Sequence, residues 1–153
     1  MKKQKFSLES ILDLRSFLER EQATRFGSAL SEQLKIESNL TSHRQNLRRM
    51  RQKRDSLLMS RSLDIKKIKS IQEEILFGEV DENVLEKKLV EAMAQSEKER
   101  RAWITRKSEK DALRKLKEKH KDSFEKEMLG DEQKEIDEIA GRNFLENRKN
   151  EEK

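Results

Sequence analysis

The chain contains no proline in 153 residues. Proline is the one residue whose ring and missing N–H break a helix from within, and average usage is about 5%. Nothing covalent therefore interrupts a helix along the whole length. Charged side chains make up 44% of the chain and hydrophobic ones only 32%, below the roughly 45–50% usual for compact domains. A large enclosed core is excluded. The 36 basic and 31 acidic residues nearly cancel to a net +5, so charge excess does not drive disorder. What remains is a set of long helices sharing a narrow apolar seam, a coiled-coil composition. With no cysteine there is no disulfide framework, thiolate metal site or thiol nucleophile.

The opening Met1-Lys2-Lys3-Gln4-Lys5 is basic, but Glu9, Asp13 and Arg15 interrupt the apolar residues behind it. A signal peptide needs about 7–15 apolar residues there, and a spanning helix needs roughly 18 or more. Neither is expected. Of four glycines, Gly78 has the best surroundings for a turn: Asp81 is a candidate N-cap with Glu82 in the acidic first turn. The predicted architecture is all-α, a long antiparallel two-helix coiled coil forming a single rod. Its first helix covers about 6–76, its turn 77–81 near Gly78, and its second helix about 82–149, with a kink at Gly130. The helices would be about 105 and 100 Å long. Gly27 and Gly141 fall inside helical patterns at a cost of about 1 kcal/mol each.

The first half carries alternating steps of four and three through 36, 40, 43, 47, 50, 54, 57, 61, 64, 68, 71 and 75. Ile36, Leu40, Leu47, Met50, Leu57, Ile68, Ile71 and Ile75 are apolar; His43, Arg54, Arg61 and Asp64 are not. Strict alternation is absent, which argues against strands. Leu85, Leu89, Ala92, Trp103, Leu113, Leu116, Phe124 and Met128 form a looser second seam. A turn at Gly78 requires facing residue numbers to add to about 157. That pairing places Trp103 beside Leu57 and Leu58, Ile139 near Leu18, and Phe144 near Leu14. Polar seam positions set register at a cost in stability, so frayed ends and dependence on a partner are expected.

Residues 43–54 carry Arg44, Arg48, Arg49, Arg51, Lys53 and Arg54 with no acid, and residues 98–121 are also basic. The same hairpin lays these two stretches side by side as a basic middle, flanked by acidic stretches at 73–91 and 122–153. Arginine-rich helices can neutralise phosphates in a salt-dependent way, but stacking groups are scarce, with Trp103 the one candidate. A solvated face or a site for an acidic protein is favoured over nucleic acid. A membrane-surface helix is disfavoured because the apolar face is narrow and the polar face mixes both signs. His43 and His120 need not meet and read as seam or surface residues. No glycine-rich phosphate loop is present, and a two-helix rod offers no cavity to drive carboxyl pKa values apart. No enzymatic activity, metal or cofactor is expected. Phe6 and Phe17 are either seam caps or partner contacts.

The two ends carry specific patterns. The first reads Phe6-Ser7-Leu8-Glu9-Ser10-Ile11-Leu12-Asp13-Leu14-Arg15, and the last Lys134-Glu135-Ile136-Asp137-Glu138-Ile139-Ala140-Gly141-Arg142. Between them lies Ala102-Trp103-Ile104-Thr105-Arg106-Lys107, followed by Leu113 and Leu116. These stretches resemble the flagellar export protein FliJ family, which opens with an F-x-L-E-x-[VIL]-L-x-L-R segment and closes with K-x-[LIM]-D-E-x-A-x-R. The resemblance implies an antiparallel coiled coil similar to the stalk of rotary ATPases. It implies a cytoplasmic component of flagellar type III protein export, peripheral at the cytoplasmic face of the inner membrane. Such a stalk inserts the end bearing both termini into the export ATPase hexamer and promotes ring assembly. It also contacts the membrane export gate and handles export chaperones, with neither nucleic acid nor direct membrane insertion involved.

Carried over by position, Leu8, Leu12, Arg15, Ile136, Asp137, Ile139, Ala140 and Arg142 would face the ATPase. Leu76, Phe77, Val80, Val84 and Leu89 are the expected gate contacts. The alternatives are an unrelated scaffold coiled coil and a nucleic-acid-binding basic rod.

Overall fold

The computed structural model describes residues 4–152; the basic opening at Met1–Lys3 lies outside them. The chain forms two helices, α1 (Glu9–Leu58) and α2 (Ile65–Glu151), and no strand occurs among the described residues. The two pack antiparallel as an all-α helical hairpin. Its contacts fall into two compact units, one built from residues up to Phe17 and from Lys107 onward, the other from Leu18–Arg106.

The turn is not at Gly78. It occupies 59–64, in Met59-Ser60-Arg61-Ser62-Leu63-Asp64. Asp64 is the N-cap of α2: its Oδ1 accepts from Lys67 N–H at 3.3 Å, satisfying one of the donors that a helix start leaves orphaned. Two serines and a capping aspartate therefore outweigh the single glycine. Arg61 and Asp64, the consecutive polar breaks in the heptad pattern, belong to this loop. Gly130, read as a kink, lies inside an uninterrupted α2, as do Gly78 and Gly141.

Within 18–106 the seam positions are those of the heptad pattern, but the register differs. Ile36, Leu40, His43, Leu47, Met50, Arg54 and Leu57 all turn inward on α1, with Leu47 and Ile75 only 1% exposed. Arg51 hydrogen-bonds Glu79 and Arg54 hydrogen-bonds Gln72, so facing numbers add to about 125 instead of about 157. Trp103 accordingly stacks on Phe26 (centroids 5.9 Å apart) and donates from Nε1 to Glu19 at 2.9 Å, away from Leu57 and Leu58. Gln22 hydrogen-bonds Glu99 and Ser96 hydrogen-bonds Gln33. These polar layers find their partners at one offset only, which is how buried polar groups define register.

Gly78 has a packing role. It is buried on α2, and a Cβ placed there would stand 2.5 Å from Leu47 Cδ2 and 3.4 Å from Leu47 Cγ. The missing side chain lets Leu47 seat against the α2 backbone, while His43 donates from Nε2 to the Gly78 carbonyl at 2.6 Å. Gly27 and Gly141 meet nothing within 4 Å at the same test. Replacing either with alanine should therefore stabilise by up to about 1 kcal/mol, the helix-propensity difference. Gly78→Ala should instead destabilise, because overpacking costs roughly 1–3 kcal/mol. Urea unfolding of the three variants checks the contrast in sign.

Candidate partner-binding site

In the unit containing both termini, the N-terminal segment folds onto α2. Phe6 meets the ring of His120 at 5.8 Å, Lys117 donates to Glu9 at 2.9 Å, and Arg15 to Glu109 at 2.6 Å. Leu12 is 8% exposed and Leu8 half-buried. These groups are occupied within the chain. An open cleft of about 920 Å³ lies beside them, with Phe6 and Leu12 among its apolar walls and Lys5, Arg114, Lys117 and Lys121 around it.

The other half of the carried-over group is separate. From Leu129 to Glu152 every residue is exposed. Ile136 lies sixteen residues past His120, about 24 Å along the helix. The expected approach of Phe144 to Leu14 does not occur, since the N-terminal segment faces 109–120, and Ile139, expected near Leu18, is exposed. Within this unit facing numbers add to about 125, as the Glu9–Lys117 and Arg15–Glu109 pairs show, and the longer α2 runs on beyond them. On that stretch Leu129, Ile136, Ile139, Ala140 and Phe144 recur at helical spacing on one face. Ile136 is 59% and Phe144 66% exposed. Asp137 accepts from Gln133 at 3.0 Å, and Arg142 stands on the exposed surface.

The residues expected to meet the export gate lie on the body of α2. Leu76, Phe77, Val80 and Val84 are all exposed, Phe77 most of all. They occupy the side of the helix opposite the seam formed by Ile75, Gly78, Glu82 and Leu85. Leu89 differs: it follows the seam phase and is half-buried. Val90, 67% exposed, extends the outward stripe. Its phase relative to the seam was visible in the sequence once the 75, 78, 82, 85, 89 spacing is traced. Phe17 is 57% exposed, so it does not cap the seam as Phe6 does against His120.

The expected basic middle does not form. Residues 43–54 lie against the acidic stretch 73–91: Arg44 reaches Glu82 at 2.9 Å and Glu86 at 2.6 Å, and Arg51 reaches Glu79 at 2.9 Å. Hydrogen bonds donated to Glu82 and then Glu86 raise the Arg44 pKa above its ordinary value. The basic stretch 98–121 faces Glu9, Glu19 and Gln22 on α1 instead. Charges that would have summed into a phosphate-binding face are partly neutralised across the seam.

One intrahelical cluster is pH-sensitive. Hydrogen bonds from Arg100 and then Arg101 hold the Glu97 carboxyl at about 2, against an ordinary 4.5. A carboxyl depressed in the folded chain adds stability above its unfolded pKa and loses it as pH falls through the folded one. Glu97→Gln should therefore flatten the stability profile between about pH 4.5 and 2 while leaving the shape above that window unchanged. Acid titration followed by circular dichroism checks this. The group is open to solvent, so the effect is small.

These features define the class first: an all-α helical hairpin with exposed apolar residues along its helices. The family model for flagellar FliJ protein matches residues 4–149, and the chain belongs to that family, a group of flagellar export components and not of enzymes. No curated protein and no solved structure matches the chain at a significant level. No helix among the described residues is long and apolar enough to cross a membrane.

Proposed function

We propose that the protein is a non-enzymatic stalk of the flagellar export apparatus, acting in the cytoplasm at the inner face of the membrane. The uncovered end of α2 enters the export ATPase hexamer and promotes ring assembly. The observation that carries this reading is the apolar stripe Leu129, Ile136, Ile139, Ala140 and Phe144, exposed on the last turns of α2. A single helix is about 10–12 Å across, which suits an axial hole. An enclosing partner would supply the burial that the hairpin withholds. Asp137 and Arg142 supply charge at the edges of the same segment.

Leu8, Leu12 and Arg15 take a supporting part, since Arg15 is paired with Glu109, Leu12 is buried and Leu8 half-buried. They anchor the N-terminal segment beside the stalk end. The outward stripe of Leu76, Phe77, Val80 and Val84 is the proposed surface for the export gate, with export chaperones as further partners; Leu89 lies too far into the seam to lead that contact. The charge pairing of Arg44 and Arg51 disfavours the nucleic-acid alternative.

The paired substitution Ile136→Asp with Ile139→Asp tests the assignment. Both residues are exposed, so helicity and unfolding should not change. Capture of the export ATPase hexamer should fall by at least a hundredfold, as expected when two charges must enter an apolar contact. Undiminished capture would assign the hexamer to another surface. Val80→Asp with Val84→Asp should leave hexamer capture intact and weaken binding to the gate's cytoplasmic domain.

A further inference from the structure

The hairpin turn carries a surface that the stalk reading does not use. Leu58, Met59, Leu63 and Ile65 are 51%, 88%, 59% and 74% exposed. All four project from the loop and the helix ends flanking it, separated by Ser60 and Ser62. Residues 53–69 also contain Lys53, Arg54, Arg61, Lys66, Lys67 and Lys69 against only Asp55 and Asp64. Both acids are engaged locally: Asp55 by Arg54 at 3.3 Å, and Asp64 by the Lys67 side chain at 3.9 Å and by the α2 cap. The tip is thus apolar at its crown and cationic around it, with Leu58 and Ile65 also lining a shallow groove beside it.

We infer that this tip binds the surface of an anionic lipid bilayer, with Met59 and Leu63 entering the headgroup–acyl boundary and the surrounding lysines on lipid phosphates. Charge complementarity selects the lipid: a cationic ring beside a bilayer gains from acidic headgroups within about one Debye length. Shape selects a bilayer over an acidic protein. Apolar loop side chains such as Met59 and Leu63 need a matching pocket in a protein, whereas the bilayer interface accepts them at any angle to a depth of about 5–10 Å. Lysine stems are long enough to lie along the apolar boundary with their ammonium groups in the headgroup layer. The device is a loop tip, so the mixed charge of the helix faces, which argues against a membrane-surface helix, does not oppose it. The inference stands independently of the stalk reading.

Flotation of the full chain with vesicles tests it. The chain should float with phosphatidylcholine–phosphatidylglycerol vesicles, not with phosphatidylcholine alone, and less at high salt. Met59→Asp with Leu63→Asp should abolish flotation without changing helicity, both positions being exposed loop residues. Lys66→Gln, Lys67→Gln and Lys69→Gln together should weaken it by roughly a hundredfold, at about fivefold per cationic side chain. No flotation with the anionic vesicles overturns the inference. So does flotation that survives the Met59/Leu63 change, which would place lipid binding elsewhere. Soluble polyglutamate is the control for an acidic protein surface. Binding to it by the wild-type chain without vesicle flotation would assign the tip to a protein partner and likewise overturn the lipid inference.

Discussion

Replacing Leu47 with alanine should lower the unfolding free energy by roughly 2–5 kcal/mol, the range for deleting a buried leucine side chain. The upper half of that range applies here. Leu47 is fully buried and sits on the bare backbone of Gly78, which has no side chain to move into the gap. Urea unfolding should show a lower midpoint with an unchanged slope.

The stronger test is the coupled pair. In the wild-type background Gly78→Ala should destabilise, because its methyl group meets Leu47. In the Leu47→Ala background the same substitution should stabilise, because it enters space already vacated and improves helix propensity. A reversal of sign within a double-mutant cycle reports direct contact. Strict additivity would mean that the two residues do not touch, and would contradict the observed register.

The second large effect concerns the uncovered end of α2. A chain truncated after Leu129 should keep most of its unfolding midpoint, since every residue removed up to Glu152 is exposed. Its helical signal should fall by about one-sixth, the share of helix beyond that point. Under the stalk reading, hexamer capture should drop below detection. Stability retained with binding lost would separate the two functions of α2, as scaffold and as contact.

Removing residues 4–15 should behave oppositely. It takes away Leu12, the Arg15–Glu109 pair and the Glu9–Lys117 pair, so the facing stretch of α2 loses its cover and the midpoint should fall. If both truncations leave capture intact, the ring-binding assignment is wrong. If the C-terminal truncation also destabilises the chain, then that helix end packs in solution in a way the structure does not show.

Much of the fold was legible because helix and seam are local properties. The absence of proline, the charge balance and the three-four spacing of Leu40, Leu47, Leu57, Ile71 and Ile75 specify helices with one apolar edge. Those residues do turn inward. The looser seam in the second half was also readable, with Leu113, Phe124 and Met128 half-buried while Leu116 stays exposed. The turn was misplaced because glycine was weighed above capping chemistry. Gly78-Glu79 beside Asp81 looks like a break, yet Gly78 is a helical residue chosen for close approach. The Ser60–Asp64 stretch, with its paired polar breaks at Arg61 and Asp64, held the better signal.

The candidate site was legible in part for the same reason. The outward phase of Leu76, Phe77, Val80 and Val84 comes from helical period alone. Whether Ile136 faces Leu18 or solvent depends on where the chain folds back, and a seam repeating every three or four residues fits many offsets equally well.

Composition and periodicity by themselves determined that this chain is helical, that its helices share a narrow seam, and which residues line it. Those outcomes depend on bonds and neighbours within a few turns. The offset between the helices, and with it the uncovered end of α2, the pairing of Arg44 and Arg51 with the acidic stretch, and the seating of Leu47 on Gly78, were decided only by tertiary structure. An apolar seam gains nearly the same burial at many offsets. Its polar layers and one missing side chain are satisfied together at a single one.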